Sequence, residues 1–322
     1  MTGARERVAA GTGGLLVLGA AVLWGSTGTA RALAPAGASP LAVGAMRILI
    51  GSAALVLVAR VRGGLQASQL RGWPFGVVAA GAVAIAAYQL AFFSAVARTG
   101  VAVGTIIAIG SAPPAAGLLA WLIRGEQPGR RWLLATLLAV AGGGLLAAAG
   151  QAVRFRPAGA LLALLAGAAY AVYALASKQL LSLERHQPVE VMAVLFAGGT
   201  VLLLPVLVVE PLGWLASPRG LLVALHLGLV ATALAYALFA RGLARVPVAT
   251  AATLSLAEPL TAALIGVVVL GERLTLAGVV GGLLVLTGLA ALAPAAGVRA
   301  RAAIPSAVPQ ARPRIRNGKV EQ

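Results

Sequence analysis

Glu258 and Arg47 are the side chains whose type and position most suggest chemistry. Each lies inside a long apolar run, where a charged group costs ~2.5–3.5 kcal/mol on insertion scales and must face a partner or water. A carboxylate there can take up a proton or contact a cationic group of a substrate, and a guanidinium can hold a carboxylate or a phosphate. The alternatives are an acid paired within a helix bundle and an arginine that extends to lipid headgroups or bonds a helix-end carbonyl.

A second group of polar and aromatic residues could line a cavity with them: Trp24, Tyr88, Gln89, Tyr170, Tyr173 and Tyr236. Tyr170 and Tyr173 share a helix face at i, i+3 and could bind substrate by stacking and hydroxyl hydrogen bonds. Packing between helices is the alternative for each tyrosine. Gln89 should point inward under either interpretation, because an amide that faces lipid is costly.

Catalytic and metal chemistry find little support in the sequence. There is no cysteine, and His186 and His226 are too far apart, without an acidic cluster, to predict a metal site. Ser26 and the other serines of the apolar runs lack an identifiable base. An intramembrane enzyme would require a serine within hydrogen-bond reach of His226. We therefore expect no enzyme, no metal and no cofactor.

Composition decides the protein class. With 60% hydrophobic residues, 10% charged residues and a mean hydropathy of +0.97, the chain is predicted to be a polytopic membrane protein. The net charge of +17 does not predict nucleic-acid binding, because the basic residues stand singly, without interleaved aromatic residues. Ten runs reach or approach the ~20 residues that cross a bilayer. The predicted spans are 13–33, 41–59, 75–97, 101–123, 132–150, 157–177, 188–209, 220–240, 247–270 and 274–293.

Basic residues predict the orientation of these spans. With both termini cytoplasmic, 18 of the 25 Lys and Arg residues fall on the inner side and 6 on the outer side, as the retention of positive charge on the cytoplasmic side requires. We therefore expect a multi-pass protein of the plasma (inner) membrane with both termini in the cytoplasm. The basic tail, residues 294–322, has no apolar period and is predicted to be disordered.

The sequence also contains an internal repeat. Pro113 and Gly125-Glu126 recur as Pro259 and Gly271-Glu272, 146 residues later. The predicted repeats are residues 13–150 and 157–293. Because each contains an odd number of spans, five, the second copy must be inverted, a recurrent construction for alternating access in secondary transporters.

Each repeated residue has a predicted role. Pro113 and Pro259 are candidates for helix breaks. Glu126 and Glu272 precede the fifth and tenth spans, where a carboxylate can cap a helix or form a gate with a nearby arginine. The repeat is imperfect at one informative position, since Glu258 corresponds to Ala112 in the first copy.

The order and spacing of these motifs resemble one known family. Trp24-Gly25-Ser26, Arg47, the two mid-span prolines and the two Gly-Glu pairs look like the EamA-type branch of the drug/metabolite transporter superfamily. The resemblance implies an all-α membrane fold of ten helices in two inverted five-helix repeats, with a central cavity for small metabolites.

The predicted function is secondary transport of a small metabolite or drug-like solute by alternating access. Export is the direction that the resemblance favours, and proton coupling through Glu258 is a hypothesis. The expected partners are the solute and the lipid bilayer, with a monomer or a homodimer as the assembly. A flippase for a lipid-linked substrate is the main alternative.

Overall fold

The computed structural model describes residues 2–66, 72–148, 156–271 and 275–292. These residues form helices and connecting loops, without a strand in the described ranges. The first five helices are α1 (Thr2–Ala32), α2 (Pro40–Val61), α3 (Phe75–Thr99), α4 (Val101–Arg124) and α5 (Arg130–Ala148). The next five are α6 (Pro157–Leu181), α7 (Pro188–Val209), α8 (Pro218–Leu243), α9 (Val248–Leu254 and Ala257–Leu270) and α10 (Leu276–Leu292). A short 3₁₀ helix, Gly213–Ala216, precedes α8.

Membrane-spanning length agrees with the ten predicted spans. Within the described residues, nine helices are long and apolar enough to cross a bilayer, the first of them from Ala10 to Ala32, and α10 is a shorter apolar helix. The predicted all-helical membrane fold is thereby confirmed. Glu272 and the tail 294–322 lie outside the described residues.

Local sequence signals explain where many helices begin and end. Pro40, Pro157, Pro188 and Pro218 open α2, α6, α7 and α8, at a position where a missing N–H costs nothing. The Ser39 and Ser217 hydroxyls accept hydrogen bonds from the first turns of α2 and α8. Gly125 and Gly271 end α4 and α9 in the left-handed conformation, with φ of 68° and 69°, which glycine adopts without steric cost.

Helix packing follows the duplication. Helix α4 packs against α6 as α9 packs against α1, and α3 packs against α6 as α8 packs against α1. Likewise α2 contacts α8 as α7 contacts α3, whereas α2–α7 and α5–α10 are pairs of corresponding helices. Exchanging the two five-helix halves leaves this pattern unchanged, as a pseudo-two-fold relation between inverted repeats requires.

Successive helices cross the bundle in opposite directions, so odd-numbered and even-numbered helices finish at opposite ends. We call the end where α1, α3, α5, α7 and α9 finish the Arg31 face, and the end where α2, α4, α6, α8 and α10 finish the Arg124 face. Contacts between loops respect this division. Ser39, before α2, donates to Glu210, after α7, on the Arg31 face, and Arg131 of α5 donates to the carbonyl of Ala291 in α10 on the Arg124 face.

The two helices that carry the repeated prolines, α4 and α9, differ, which corrects the prediction of a break in each. Helix α4 runs without interruption through Pro113 and Pro114, as neighbouring helices allow inside a membrane bundle. Helix α9 is interrupted at Ser255 and Leu256, before Pro259. Pro259 occupies the first turn of the following segment, where its missing N–H breaks no intrahelical bond.

Candidate functional site

A central cavity of about 390 Å³ is lined by residues from both halves of the chain. It contains every predicted cavity residue except Tyr173: Trp24, Arg47, Tyr88, Gln89, Tyr170, Tyr236 and Glu258. Its volume falls within the range of small-molecule pockets, about 300–1,000 Å³. Inverted repeats place the cavity at their interface because corresponding helices meet there.

The interruption of α9 determines how two of these side chains are held. Glu258 is the second residue of the second α9 segment and lines the cavity beside Pro259. Ser255, at the interruption, exchanges a hydrogen bond with the Tyr170 hydroxyl at 3.1 Å. In the first half, α4 is continuous and Ala112 is buried, so the carboxylate has no counterpart.

Arg47 and Glu258 provide opposite charges that do not form a direct ion pair with each other. Both line the cavity, and their charges interact electrostatically, but the salt bridges of the described residues do not include this pair. The Arg47 Nε is buried and lacks a hydrogen-bond partner among the described residues. The cavity therefore offers a donor at one place and a carboxylate at another.

The remaining predicted residues form an aromatic and polar lining. Trp24 and Tyr236 rings lie 4.9 Å apart, and the Trp24 Nε1 is buried without a hydrogen-bond partner in the described part of the chain. The Gln89 side chain donates to the Gly44 carbonyl at 3.2 Å. Gln89 therefore points inward, as its cost in lipid requires.

Tyr173 is placed differently from the sequence prediction of a cavity wall. It is only 3% exposed and packs with Phe196, Tyr236 and Phe239. Its hydroxyl approaches the Met192 Sδ at 3.6 Å. It touches only a small void of about 20 Å³ behind Tyr170 and Tyr236, so packing between helices is the role that the structure gives it.

Sequence reasoning missed Arg31, which lines the cavity near the Arg31 face. Its guanidinium carbon lies 5.6 Å from the centre of the Phe93 ring, a cation–π distance. Trp24, Gly28 and Arg31 are spaced i, i+4, i+7 and share one helix face. That spacing is the signal in the sequence that could have indicated Arg31.

The cavity extends to the Arg31 face, where residues near the helix ends line it, including Val96, Thr105, Ala147 and Thr275. The Arg124 face is held by polar contacts instead. The Lys178 ammonium donates to the carbonyls of Leu243, Ala244 and Val246 at 2.7, 3.2 and 2.9 Å. It thus ties the end of α6 to the end of α8.

Glu126 also belongs to the Arg124 face. Its carboxylate accepts from the Arg124 Nε at 2.7 Å, and its backbone N–H donates to the Ala120 carbonyl. Helix α5 begins only at Arg130. Glu126 is therefore paired with the preceding helix, not placed as a cap on the following one, because Gly125 turns the chain back towards α4.

The structure contains the serine–histidine contact that an intramembrane enzyme would require. Ser26 Oγ and His226 Nε2 lie 2.9 Å apart. However, the Ser26 hydroxyl donates its proton to the Leu23 carbonyl at 2.7 Å, so Nε2 is the donor in the contact with Oγ. A nucleophile and its base require the reverse direction. The pair joins α1 to α8 and does not line the central cavity.

His226 begins a nine-residue π-helical stretch of α8, His226–Leu234. Within it, Thr232 Oγ1 donates to the carbonyl of Leu227, five residues earlier, at 2.8 Å. Such wide turns often mark functional sites in helices. Apolar periodicity could not reveal this stretch, because His226 and Thr232 are its only polar residues and an almost uniformly apolar run shows no period.

Fold and cavity together define a polytopic α-helical membrane transporter built from two similar halves. The sequence matches the EamA-like transporter family over residues 11–148 and again over 157–293. The chain belongs to this family and is therefore a transporter, not an enzyme.

Several known proteins are similar to the chain. "Uncharacterized transporter YwfM" of Bacillus subtilis is 46% identical over 281 residues, which cover 87% of this chain and 93% of the relative. A "Probable terminal-alkyne amino-acid exporter" of Streptantibioticus cattleyicolor is 28% identical over 244 residues, 76% of this chain and 80% of the relative. A solved crystal structure superposes with a TM-score of 0.76 at 24% identity, covering 87% of this chain and 95% of that one.

Proposed function

We propose that the protein exports a small zwitterion of the amino-acid class, with an apolar or aromatic side chain. One observation carries this proposal: Arg47 and Glu258 present opposite charges to one aromatic cavity without pairing directly. A substrate carboxylate would bind Arg47, whose guanidinium suits it, and the ammonium group would face Glu258. The side chain would lie among Trp24, Tyr88 and Phe92. The amino-acid exporter among the similar proteins supports this substrate class.

Alternating access is the proposed mechanism. The contacts of Lys178 and of Arg124 with Glu126 close the Arg124 face, while the cavity reaches the Arg31 face. If the basic-residue bias sets the Arg124 face in the cytoplasm, this is an outward-open state. The inward-open state would break the Lys178 contacts and close the cavity around Arg31.

Ligand-induced thermal stabilisation tests the substrate class, because a ligand that binds only the folded protein raises its melting temperature. The purified protein is screened with phenylalanine, with phenethylamine, which lacks the carboxylate, and with 3-phenylpropionate, which lacks the amine. We expect stabilisation by the amino acid and at least about tenfold weaker binding of each analogue, since one charge-assisted hydrogen bond contributes ~1.5–3 kcal/mol.

Two variants assign the charges. Arg47→Gln should remove the preference for the carboxylate, and Glu258→Gln the preference for the ammonium group. The matched controls Arg62→Gln and Glu184→Gln change exposed residues outside the cavity and should bind as the parent does. Equal stabilisation by all three ligands, or tighter binding of the amine alone, would refute the zwitterion proposal.

A further inference from the structure

A second cavity, of about 220 Å³, lies between α4 and α5 and shares no lining residue with the central cavity. Pro114, Gly117 and Trp121 form its wall on α4, and Trp132, Leu133 and Leu137 form its wall on α5. We call it the α4–α5 pocket. It lies in the half of these helices that is nearer the Arg124 face.

The lining of the α4–α5 pocket is largely apolar and suits a hydrocarbon chain. Thr136 supplies its only side-chain hydroxyl, and that hydroxyl is already bonded to Thr253 at 2.8 Å. Water needs two or more polar partners to occupy a cavity. Beside the engaged Thr136 hydroxyl, the polar side-chain groups of the lining are the indole N–H groups of Trp121 and Trp132, and the Trp132 Nε1 is buried without a hydrogen-bond partner among the described residues. Trp121 and Leu137, which are 49% and 57% exposed, open the pocket towards the lipid-facing surface of the bundle.

A positively charged side chain, that of Arg130, lies next to the pocket. Arg130, the first residue of α5, precedes Leu133 and Leu137 by three and seven residues and so shares their helix face. Its two neighbouring arginines are engaged: Arg124 with Glu126, and Arg131 with the Ala291 carbonyl. Arg130 is exposed and has no hydrogen bond or ion pair with a described residue.

From this arrangement we propose that the α4–α5 pocket binds one acyl chain of an anionic phospholipid, whose phosphate is held by Arg130. The pocket accepts the chain and the guanidinium accepts the phosphate, so a neutral or zwitterionic lipid would use only half of the site. Basic pockets between transmembrane helices on the cytoplasmic side are known to bind anionic headgroups. The predicted cytoplasmic position of the Arg124 face is consistent with that leaflet.

Fluorescence quenching by brominated lipid tests the proposal on the full chain. The protein is reconstituted in phosphatidylcholine vesicles that contain an increasing fraction of lipid brominated along its acyl chains, either phosphatidylglycerol or phosphatidylcholine. The quenching of Trp132 is the part of the signal that Trp132→Phe removes. We expect this part to reach half-maximum at about fivefold less brominated phosphatidylglycerol than phosphatidylcholine.

Arg130→Gln should abolish this headgroup preference while leaving some quenching by both lipids, because the apolar pocket remains. Arg62→Gln removes an equal charge from the same face, at the end of α2, and should keep the preference. Leu133→Phe, which fills the pocket, should lower quenching by both lipids. Native mass spectrometry of the delipidated protein, titrated with both lipids, gives a second readout of headgroup preference.

Three results would overturn the proposal. Equal quenching by the two headgroups would mean ordinary contact with bulk lipid. A preference that survives Arg130→Gln would place the phosphate elsewhere. A loss of preference in Arg62→Gln as large as in Arg130→Gln would mean general surface attraction without a site.

Discussion

Glu258 combines three properties that rarely coincide in a membrane helix: a carboxylate, a helix interruption and a cavity wall. The interruption at Ser255 and Leu256 places Glu258 in the first turn of a new segment. There the helix dipole favours negative charge, while the surrounding apolar bundle opposes it. Such a group can change its protonation state when a cationic substrate group arrives or leaves.

Glu258→Gln should abolish substrate-driven proton movement, because the amide keeps the shape of the side chain but cannot release a proton. The measurement is the change of internal pH in proteoliposomes on addition of an amino acid gradient. Gln89→Glu adds a carboxylate at another position of the same cavity, and so tests whether the position of the acid matters for proton movement. Proton flux that persists unchanged in Glu258→Gln would exclude this residue from coupling.

Ser26→Ala should transport at close to the parent rate, because the Ser26 hydroxyl donates to its own helix and the Ser26–His226 pair does not line the cavity. Its expected effect is a modest loss of stability from one hydrogen bond, about 0.5–1.5 kcal/mol. Initial transport rates and thermal unfolding of the same preparations measure both. Complete loss of transport with normal folding would reopen a chemical role for Ser26.

At the residue scale, the sequence predicts which side chains are unfavourable in lipid, because the free energy of placing a side chain there depends on its type and its depth. Arg47, Gln89 and Glu258 were found for that reason. Tyr173 was misplaced because tyrosine is tolerated both in a cavity wall and between helices. Lys178 was missed as a contact because its three carbonyl acceptors belong to another helix, and no local spacing encodes that proximity.

Elements were more predictable than contacts. Hydrophobic length located each helix, and proline and glycine located many of the ends, because these signals act within one segment. The π-helical part of α8 contacts α1 and α2, and the segments on either side of the α9 interruption contact α1, α4 and α6; no signal within one segment encodes these neighbours. Such tertiary effects explain why equivalent prolines gave a continuous α4 and an interrupted α9.

Close contact between α5 and α10 gives a test of packing. A Cβ atom at Gly142 would lie 2.5 Å from the Gly281 carbonyl oxygen, whereas one at Gly144 would meet only Ile106, at 3.7 Å. Gly142→Ala should therefore destabilise the protein by about 1–3 kcal/mol through overpacking. Thermal unfolding in detergent measures the effect.

Gly144→Ala is the matched control, since it makes the same chemical change one half-turn away on the same helix. Alanine is favoured over glycine inside a helix by roughly 0.5–1 kcal/mol, so this variant should match or exceed the parent in stability. Equal destabilisation by both variants would contradict the close backbone contact between α5 and α10.

For the molecule as a whole, the two halves share a packing pattern, but the two faces of the bundle carry different chemistry. One ammonium and three carbonyls, with an arginine–glutamate pair beside them, hold the Arg124 face. The Arg31 face carries a guanidinium above a phenylalanine ring. Weakening the first set should shift the population towards the state closed around Arg31.

Lys178→Met should produce that shift, because methionine keeps the length of the side chain and loses all three donor bonds. The chain has no cysteine, so single introduced cysteines report access without a background. With Lys178→Met, a cysteine at Ala249 should react faster with an impermeant maleimide, and one at Thr105 more slowly. Arg185→Gln, on the same face, is the control and should change neither rate. Opposite or parallel changes at the two reporters would contradict alternating access.

Because Glu258 has no counterpart in the first half, the duplication does not make the two halves equivalent. A perfectly repeated transporter would work alike in both orientations, and its two end states would have equal free energy in a symmetric membrane. Here Glu258 corresponds to Ala112 in the repeat, so the two halves present different charges and the two end states need not have equal free energy. The symmetry supplies a path between two shapes. If Glu258 couples transport to protons, the balance between those shapes depends on the proton concentration on each side.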